Sequence, residues 1–395
     1  MAEEREIVVL SGVRTAVGKY GGSLKDFSPT DLGGMVIKEA VRRSGLEPGD
    51  IGHVVFGNIL HTDSGDMYGG RLAMLKAGLP IEVPALTLNR LCGSGLQAIV
   101  TASHYIKLGY TDAAVAGGME VMSRAQYWLP GMRWGQRMND ATVIDSMVAV
   151  LTDPQDGCHM GITAERVATK YNISREDQDA LAVESHRRAV QAIDNGYFRE
   201  QILPIEIKTK AGVTVFDTDE GPRRDANTAA MAKLKPAFDK TGSVTAGNAS
   251  SINDAASAVV LMERKAAEAR GLRPLGRLVA DSVAAVDPKY MGIGPVPAVR
   301  ALLERTGLTI KDMDVIELNE AFAAQALGVI RELDLPMDRT NPNGSGISLG
   351  HPVGASGAIL TVKALNELQR TGGRYALVTL CIGGGQGIAA IYERL

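Results

Sequence analysis

Cysteine is scarce: the chain has 3 in 395 residues, Cys92, Cys158 and Cys381. That excludes a disulfide framework and points to a reducing compartment. No C-x-x-C or H-x-x-x-H spacing occurs, so the usual zinc patterns are missing and no metal is expected. Charge of one sign is lacking too. The 42 basic and 45 acidic residues leave a net charge of -3, too little for the basic field that recruits nucleic acid. No apolar run reaches the roughly 18 residues of a membrane span. The acidic start, Met1-Ala-Glu-Glu-Arg-Glu6, is unlike a signal or transit peptide. The end, Tyr-Glu-Arg-Leu395, carries no retention or peroxisomal address. The expectation is a soluble cytoplasmic protein with neither nucleic-acid nor membrane partners. What is present is an ordinary globular balance, 45% hydrophobic and 22% charged, enough for more than one core.

The two ends of the chain resemble each other. Gly45-Leu46, then Asp50 and Val54-Val55, parallels Gly307-Leu308, then Asp312 and Val315-Ile316. Ser94-Gly95 parallels Ser356-Gly357 at the same offset of 262, each pair opening an apolar helix. A constant offset across separated segments indicates an internal duplication. Strands are expected at Ile7–Leu10, Val54–Phe56, Ala113–Ala116, Leu278–Ala280, Val315–Leu318 and Tyr375–Leu380. Alternating with amphipathic helices, they define an α/β fold with mixed sheets. Residues 121–246 have no counterpart in the repeat, are richer in charge, and hold Trp128 and Trp134. They read as an insertion that shapes access to a site. The division is 1–120 (completed by 247–272), 121–246, and 273–395.

Four short segments carry chemistry. In Asn89-Arg-Leu-Cys-Gly-Ser-Gly-Leu-Gln97, a thiol stands between a strand and a helix N-terminus, where the dipole favours thiolate. Glu317-Leu-Asn319-Glu320-Ala-Phe322 ends an apolar strand, and its Asn-Glu pair also suits a helix cap. Asn341 to Pro352 puts His351 between Gly and Pro, on an exposed loop of fixed shape. Leu380-Cys381-Ile-Gly383-Gly-Gly-Gln-Gly387 ends a strand on a second thiol, its glycines lacking phosphate-loop spacing. Together they describe a thiol-based acyl site.

At Cys92-Gly-Ser94, Asn319-Glu-Ala-Phe322, Gly350-His-Pro352 and Cys381-Ile-Gly383 the chain resembles the thiolases. It is most similar to the biosynthetic acetyl-CoA acetyltransferases and bacterial β-ketothiolases. The resemblance runs from Ser11-Gly-Val-Arg-Thr15 to the last strand. It implies a five-layered α/β/α/β/α fold of two duplicated halves plus an inserted loop domain for CoA binding and oligomer contacts. It also implies a homotetramer, a dimer of dimers. The implied reaction is reversible Claisen condensation of two acetyl-CoA, or acetyl-CoA plus propionyl-CoA, to a short 3-ketoacyl-CoA and CoA. It is ping-pong through a Cys92 acyl-enzyme. A degradative 3-ketoacyl-CoA thiolase of broader chain length is the alternative.

By resemblance, His351 takes the Cys92 proton, Cys381 moves the α-proton, and Asn319 holds a water beside His351. The Cys92 and Gly383 N–H groups form a second oxyanion site. Arg223, Ser250, His159, Met160, Met291 and Phe322 would contact coenzyme A or the acyl group, with Arg224 a neighbouring cation. Asp217, Asp219 and Glu220 could instead balance both arginines. Coenzyme A thioesters are substrates, and no separate cofactor is implied. Ser251 replaces the glycine usual after the pantetheine serine, which puts the local tunnel shape in question. Cys158 reads as a pocket-lining or structural residue. The sequence points away from the related ketoacyl synthases, which carry His where Cys381 stands. If Cys92 and Cys381 meet one substrate, oxidation could link them.

Overall fold

The computed structural model describes residues 5–210 and 212–395; the acidic start, residues 1–4, lies outside them. In chain order, the elements that position the site begin with β1 (Ile7–Thr15), α1 (Pro29–Ser44), β2 (His53–Gly57), α2 (Gly69–Lys76), β3 (Ala85–Leu88), α3 (Ser94–Lys107) and β4 (Ala113–Val121). The intervening segment contributes α4 (Met160–Lys170) and α5 (Arg175–Asp194). Then come β5 (Asn253–Glu263), β6 (Gly276–Ala285), α6 (Pro295–Thr306), β7 (Met313–Leu318), α7 (Ala323–Leu333), α8 (Ser356–Thr371), β8 (Tyr375–Ile382) and β9 (Gln386–Glu393).

The repeat is visible in the punctuation. Helix α1 starts at Pro29 and stops at Gly45, whose φ is +77°; α6 starts at Pro295 and stops at Gly307, φ +71°. Proline at the first helical position and left-handed glycine after the last give both helices the same ends. In each half two parallel strands are followed by two antiparallel ones: β2 and β4, then β5 and β1; β7 and β8, then β9 and β6. The two sets join where Ile7–Val9 of β1 pairs antiparallel with Gly276–Leu278 of β6. The sheet is therefore continuous, in the order β7-β8-β9-β6-β1-β5-β4-β2-β3. The second half lacks a partner for β3. An isolated bridge between Ile316 and Thr340 stands there instead, and the chain turns into a short helix, Gly346–Leu349, leading to His351.

Three layers of helix flank the sheet. Leu32, Val36 and Ile37 of α1, with Met74 of α2, cover Val8, Phe56 and Val115. Leu96 and Ile99 of α3, with Val362 and Leu365 of α8, fill the middle between Val55, Ala116, Val378 and Leu380. Val296, Val299 and Leu302 of α6, with Val329 of α7, cover Ile316, Leu377 and Ile391. Each such side chain contributes about 1.5–3 kcal/mol by leaving water. In the middle layer the two helix starts nearly touch. A Cβ on Gly95 would come within 2.8 Å of Ala358 N, and one on Gly357 within 2.3 Å of Leu96 N; only bare backbone allows this approach.

Of the nine strands named above, β5 and β9 were not among those expected. Strand β5 begins Asn-Asp-Ala-Ala-Ser, a poor strand former by propensity, yet it pairs with β1 on one side and β4 on the other. Two buried ion pairs pin the fold. Arg14 grips Asp219 with two hydrogen bonds of 2.7 and 2.9 Å. Lys363 of α8 binds Glu317 at 2.7 Å and the Gly344 carbonyl at 2.6 Å. No helix among the described residues is long and apolar enough to cross a membrane.

Candidate active site

Cys92 sits in a tight turn, Leu91–Gly93, that runs directly into α3. Leu91 takes φ +44°, a left-handed conformation costing a non-glycine residue about 1–3 kcal/mol. The turn is held by Asn89, which accepts the Leu91 N–H at 2.9 Å, and by Ser94. The Ser94 hydroxyl accepts the Arg90 N–H at 2.8 Å and donates to the Leu91 carbonyl at 2.8 Å. Arg90 reaches across to Gln386 at 2.9 Å, tying the turn to the other half.

Burial opposes the expected thiolate. Burial pushes the Cys92 thiol up to about 11, against the Gly383 N–H that favours charge. A helix terminus supplies about half a charge, and desolvation outweighs it here. Cys381, near the end of β8, is fully buried and its thiol is pushed up further, by burial and by Cys92 beside it.

His351 corrects a second expectation: it is buried, not exposed. Its loop is closed over by the first half. The His351 N–H donates to Asn253 Oδ1 at 2.9 Å, and Asn253 Nδ2 donates to the Gly18 carbonyl at 3.0 Å. The ring meets Ser356 Oγ through Nδ1 at 2.6 Å and Asn319 Nδ2 through Nε2 at 3.4 Å. Burial holds the imidazole down to about 4, hence neutral. Asn319 therefore faces the ring; it does not cap α7, whose N-cap is Phe322.

One cavity of ≈ 50 Å³ gathers most of the expected residues. Cys92, His351, Cys381 and Gly383 line it, with Met160, Ser250, Met291 and Phe322; Leu91, Val150, Leu151, Ala321 and Val353 complete the wall. Gly383 to Gly385 form the hairpin turn between β8 and β9 rather than a phosphate cradle. His159 stands outside the cavity wall, stacked on Phe238 at 4.6 Å, and Phe238 meets Phe322 edge-on at 6.1 Å.

The two arginines separate. Arg224 pairs with Asp194 at 2.6 and 2.9 Å. The Arg223 side chain is exposed and forms no ion pair among the described residues, while its N–H donates to His186 Nδ1 at 3.1 Å. The acidic run does not neutralise either: Asp219 is held by Arg14, and Glu220 accepts from Lys19 N–H and the Ser23 hydroxyl. Ser251 is exposed and donates to Asn253 Oδ1 at 2.8 Å, so it turns away from the cavity. Cys158 is half-buried, with Arg166 at 3.6 Å from its sulfur, and lies off the cavity wall.

Sequence reasoning missed Glu120. It lies near the end of β4, fully buried, and accepts four hydrogen bonds: from Asn58 Nδ2 at 3.1 Å and the N–H groups of Leu60, Ile59 and Gly354 at 3.0, 3.2 and 3.0 Å. Burial pushes its carboxyl up while the N–H donors favour the charge. It clamps the His351 loop to the half that carries Cys92. A carboxylate inside the apolar run Ala113 to Val121 was the available signal.

The chain was compared with known proteins. The thiolase N-terminal domain matches residues 7–265, and the thiolase C-terminal domain matches residues 272–394. The chain is an acyltransferase enzyme. The chain belongs to the thiolase family. It is 60% identical to the β-ketothiolase BktB of Cupriavidus necator, over 99% of this chain and 100% of that one. It is 48% identical to the acetyl-CoA acetyltransferase of Syntrophomonas wolfei, over 99% and 100%. Among solved structures, the Bacillus anthracis acetyl-CoA acetyltransferase superimposes with a TM-score of 0.98 at 45% identity, covering 100% of both chains.

Proposed function

We propose that this enzyme condenses two acetyl-CoA reversibly to acetoacetyl-CoA and CoA, and also joins acetyl-CoA with propionyl-CoA. The observation that carries the reading is one small cavity shared by Cys92, His351 and Cys381. The names of its relatives, a β-ketothiolase and acetyl-CoA acetyltransferases, agree with it.

The chemistry follows from the resting state. A neutral thiol and a neutral imidazole face one cavity. Proton transfer from Cys92 to His351 Nε2 creates the nucleophile only when an acyl carbon is present to receive it. Attack on acetyl-CoA gives a thioester on Cys92, and the imidazolium returns its proton to the departing CoA sulfur. Cys381, itself a protonated thiol at rest, first gives its proton to the again neutral His351, and its thiolate then removes the α-proton of the second acetyl-CoA. The resulting carbanion attacks the Cys92 acyl carbon, and the departing Cys92 thiolate takes the proton back from the imidazolium. The Cys92 and Gly383 N–H groups stabilise one oxyanion. His351 Nε2–H, with the water assigned to Asn319, stabilises the other; one such donor is worth about 3–4 kcal/mol. Arg223, with no acidic partner among the described residues, is left to a CoA phosphate. His159 and Phe238 form an apolar wall for the pantetheine, beyond Ser250.

Chain length decides between this and a degradative thiolase. Leu91, Val150, Leu151, Met160, Met291 and Phe322 crowd the acyl end, which favours two- and three-carbon groups. Thiolysis of acetoacetyl-CoA and 3-ketovaleryl-CoA is expected to exceed that of 3-ketodecanoyl-CoA by at least ~10-fold in kcat/KM, one missing favourable contact. Faster cleavage of the ten-carbon substrate would refute the short-chain reading.

The division into 1–120 with 247–272, 121–246 and 273–395 is supported by β5 returning between β1 and β4. Within the insertion, a small hairpin exposes Tyr127, Trp128, Leu129, Met132, Trp134 and Met138. So many exposed apolar side chains within one short segment suit a subunit contact, which supports a homotetramer. Light scattering is expected to give four times the 41.8 kDa chain mass, falling on Trp134→Glu; a monomer in the native enzyme defeats it. Three free thiols suit a cytoplasmic setting.

A further inference from the structure

We propose that Ser356 is a positioning residue: its hydroxyl oxygen accepts the Nδ1 proton of His351 and so leaves Nε2 free to take the proton of Cys92. The inference rests on the catalytic reading above and deepens it.

The duplication provides the comparison. Ser94 and Ser356 occupy equivalent places, 262 positions apart, each opening its central helix. In the first half the Ser94 oxygen is occupied locally, since it accepts the Arg90 N–H at 2.8 Å. The residue equivalent to Arg90 is Pro352, which has no N–H to give. Ser356 Oγ therefore keeps a free lone pair, and the ring of His351 comes to it at 2.6 Å.

The direction of that bond follows from proton counting. A hydroxyl has one proton. Ser356 Oγ lies 3.0 Å from the Pro352 carbonyl, an acceptor that can only receive. Ser94 uses its own proton in the same manner, on the Leu91 carbonyl at 2.8 Å. With the Ser356 proton spent on Pro352, the short contact to His351 must carry the imidazole's Nδ1–H. Nε2 is then the lone-pair atom, and it meets a donor, Asn319 Nδ2. The three contacts form one consistent chain, from Asn319 through the ring and Ser356 to Pro352. When Cys92 gives its proton to Nε2, the sulfur becomes thiolate and the ring becomes imidazolium. Nδ1–H stays bonded to Ser356 throughout, so the ring need not turn; only the long 3.4 Å contact from Asn319 Nδ2 is given up when Nε2 takes the proton. With the other tautomer Nε2 would already hold a proton and the transfer could not occur.

Two measurements test this. Nitrogen NMR of the resting enzyme labelled at histidine is expected to show His351 as the Nδ1–H tautomer, assigned by its loss in His351→Ala; an Nε2–H form overturns the proposal. In Ser356→Ala the rate of Cys92 acetylation by acetyl-CoA, followed by intact mass, is expected to fall roughly 10²–10⁴-fold, the worth of a general base. KM should change little. The acid limb of kcat/KM should move to lower pH, because the imidazolium loses an acceptor. Ser356→Thr, which keeps the hydroxyl, should recover most of the rate. Acetylation at the native rate in Ser356→Ala, or an unmoved acid limb, refutes the role. A native enzyme that shows the Nδ1–H tautomer but never acetylates Cys92 would sink the catalytic reading instead.

Discussion

Cys92→Ala is expected to lower acetoacetyl-CoA thiolysis by at least ~10⁴-fold, as removal of a covalent nucleophile does elsewhere. The mass increase of one acetyl group on incubation with acetyl-CoA should vanish with it. Cys381→Ala is the instructive companion. That variant retains Cys92 and His351, so it should still acquire the acetyl group, yet fail to condense it with a second acetyl-CoA. The contrast is sharp because both thiols line one cavity of ≈ 50 Å³ but act on different atoms of the substrates. A Cys92→Ala enzyme that keeps activity within tenfold of native would remove the basis of the mechanism. So would loss of acetylation in a folded Cys381→Ala enzyme.

The second large effect is on stability. Lys363→Met is expected to destabilise the protein by about 3–5 kcal/mol, because it leaves Glu317 as an unpaired charge in the interior. Both side chains are buried, at 1% and 0% exposure. The lysine also holds the Gly344 carbonyl in the loop that leads to His351, so activity should fall with stability. The double variant Lys363→Met with Glu317→Gln removes the charge that was stranded. It should recover a large part of the loss, and the midpoint of guanidinium unfolding would show it. Equal stability of Lys363→Met and the native protein would mean that the pair contributes nothing.

Much of the site was legible before any coordinates. Cys92, Asn319, His351 and Cys381 each follow a strand or stand among Gly and Pro, and such punctuation survives as a one-dimensional signal. The repeat was legible because the same glycines end α1 and α6. What sequence could not show was closure. His351 reads as exposed in a Gly-Pro loop, and it is buried because Asn253 and Glu120, from the other half, hold that loop down. The thiolate argument meets the same difficulty: a helix terminus is local, whereas desolvation depends on what folds over it. Strand β5 went unseen because its alanines and polar residues pass for a loop until β1 and β4 are placed on either side.

Gly95 and Gly357 let the starts of α3 and α8 press together at the middle of the molecule. Each start carries the electropositive pole of its helix, about half an elementary charge. One begins two residues after Cys92 and the other five after His351. Because the two halves repeat one another, each brings one such pole to the same place. Negative charge that arises there only in passing, on sulfur, on an enolate or on a tetrahedral oxygen, is met by a field already in position, whichever step is under way.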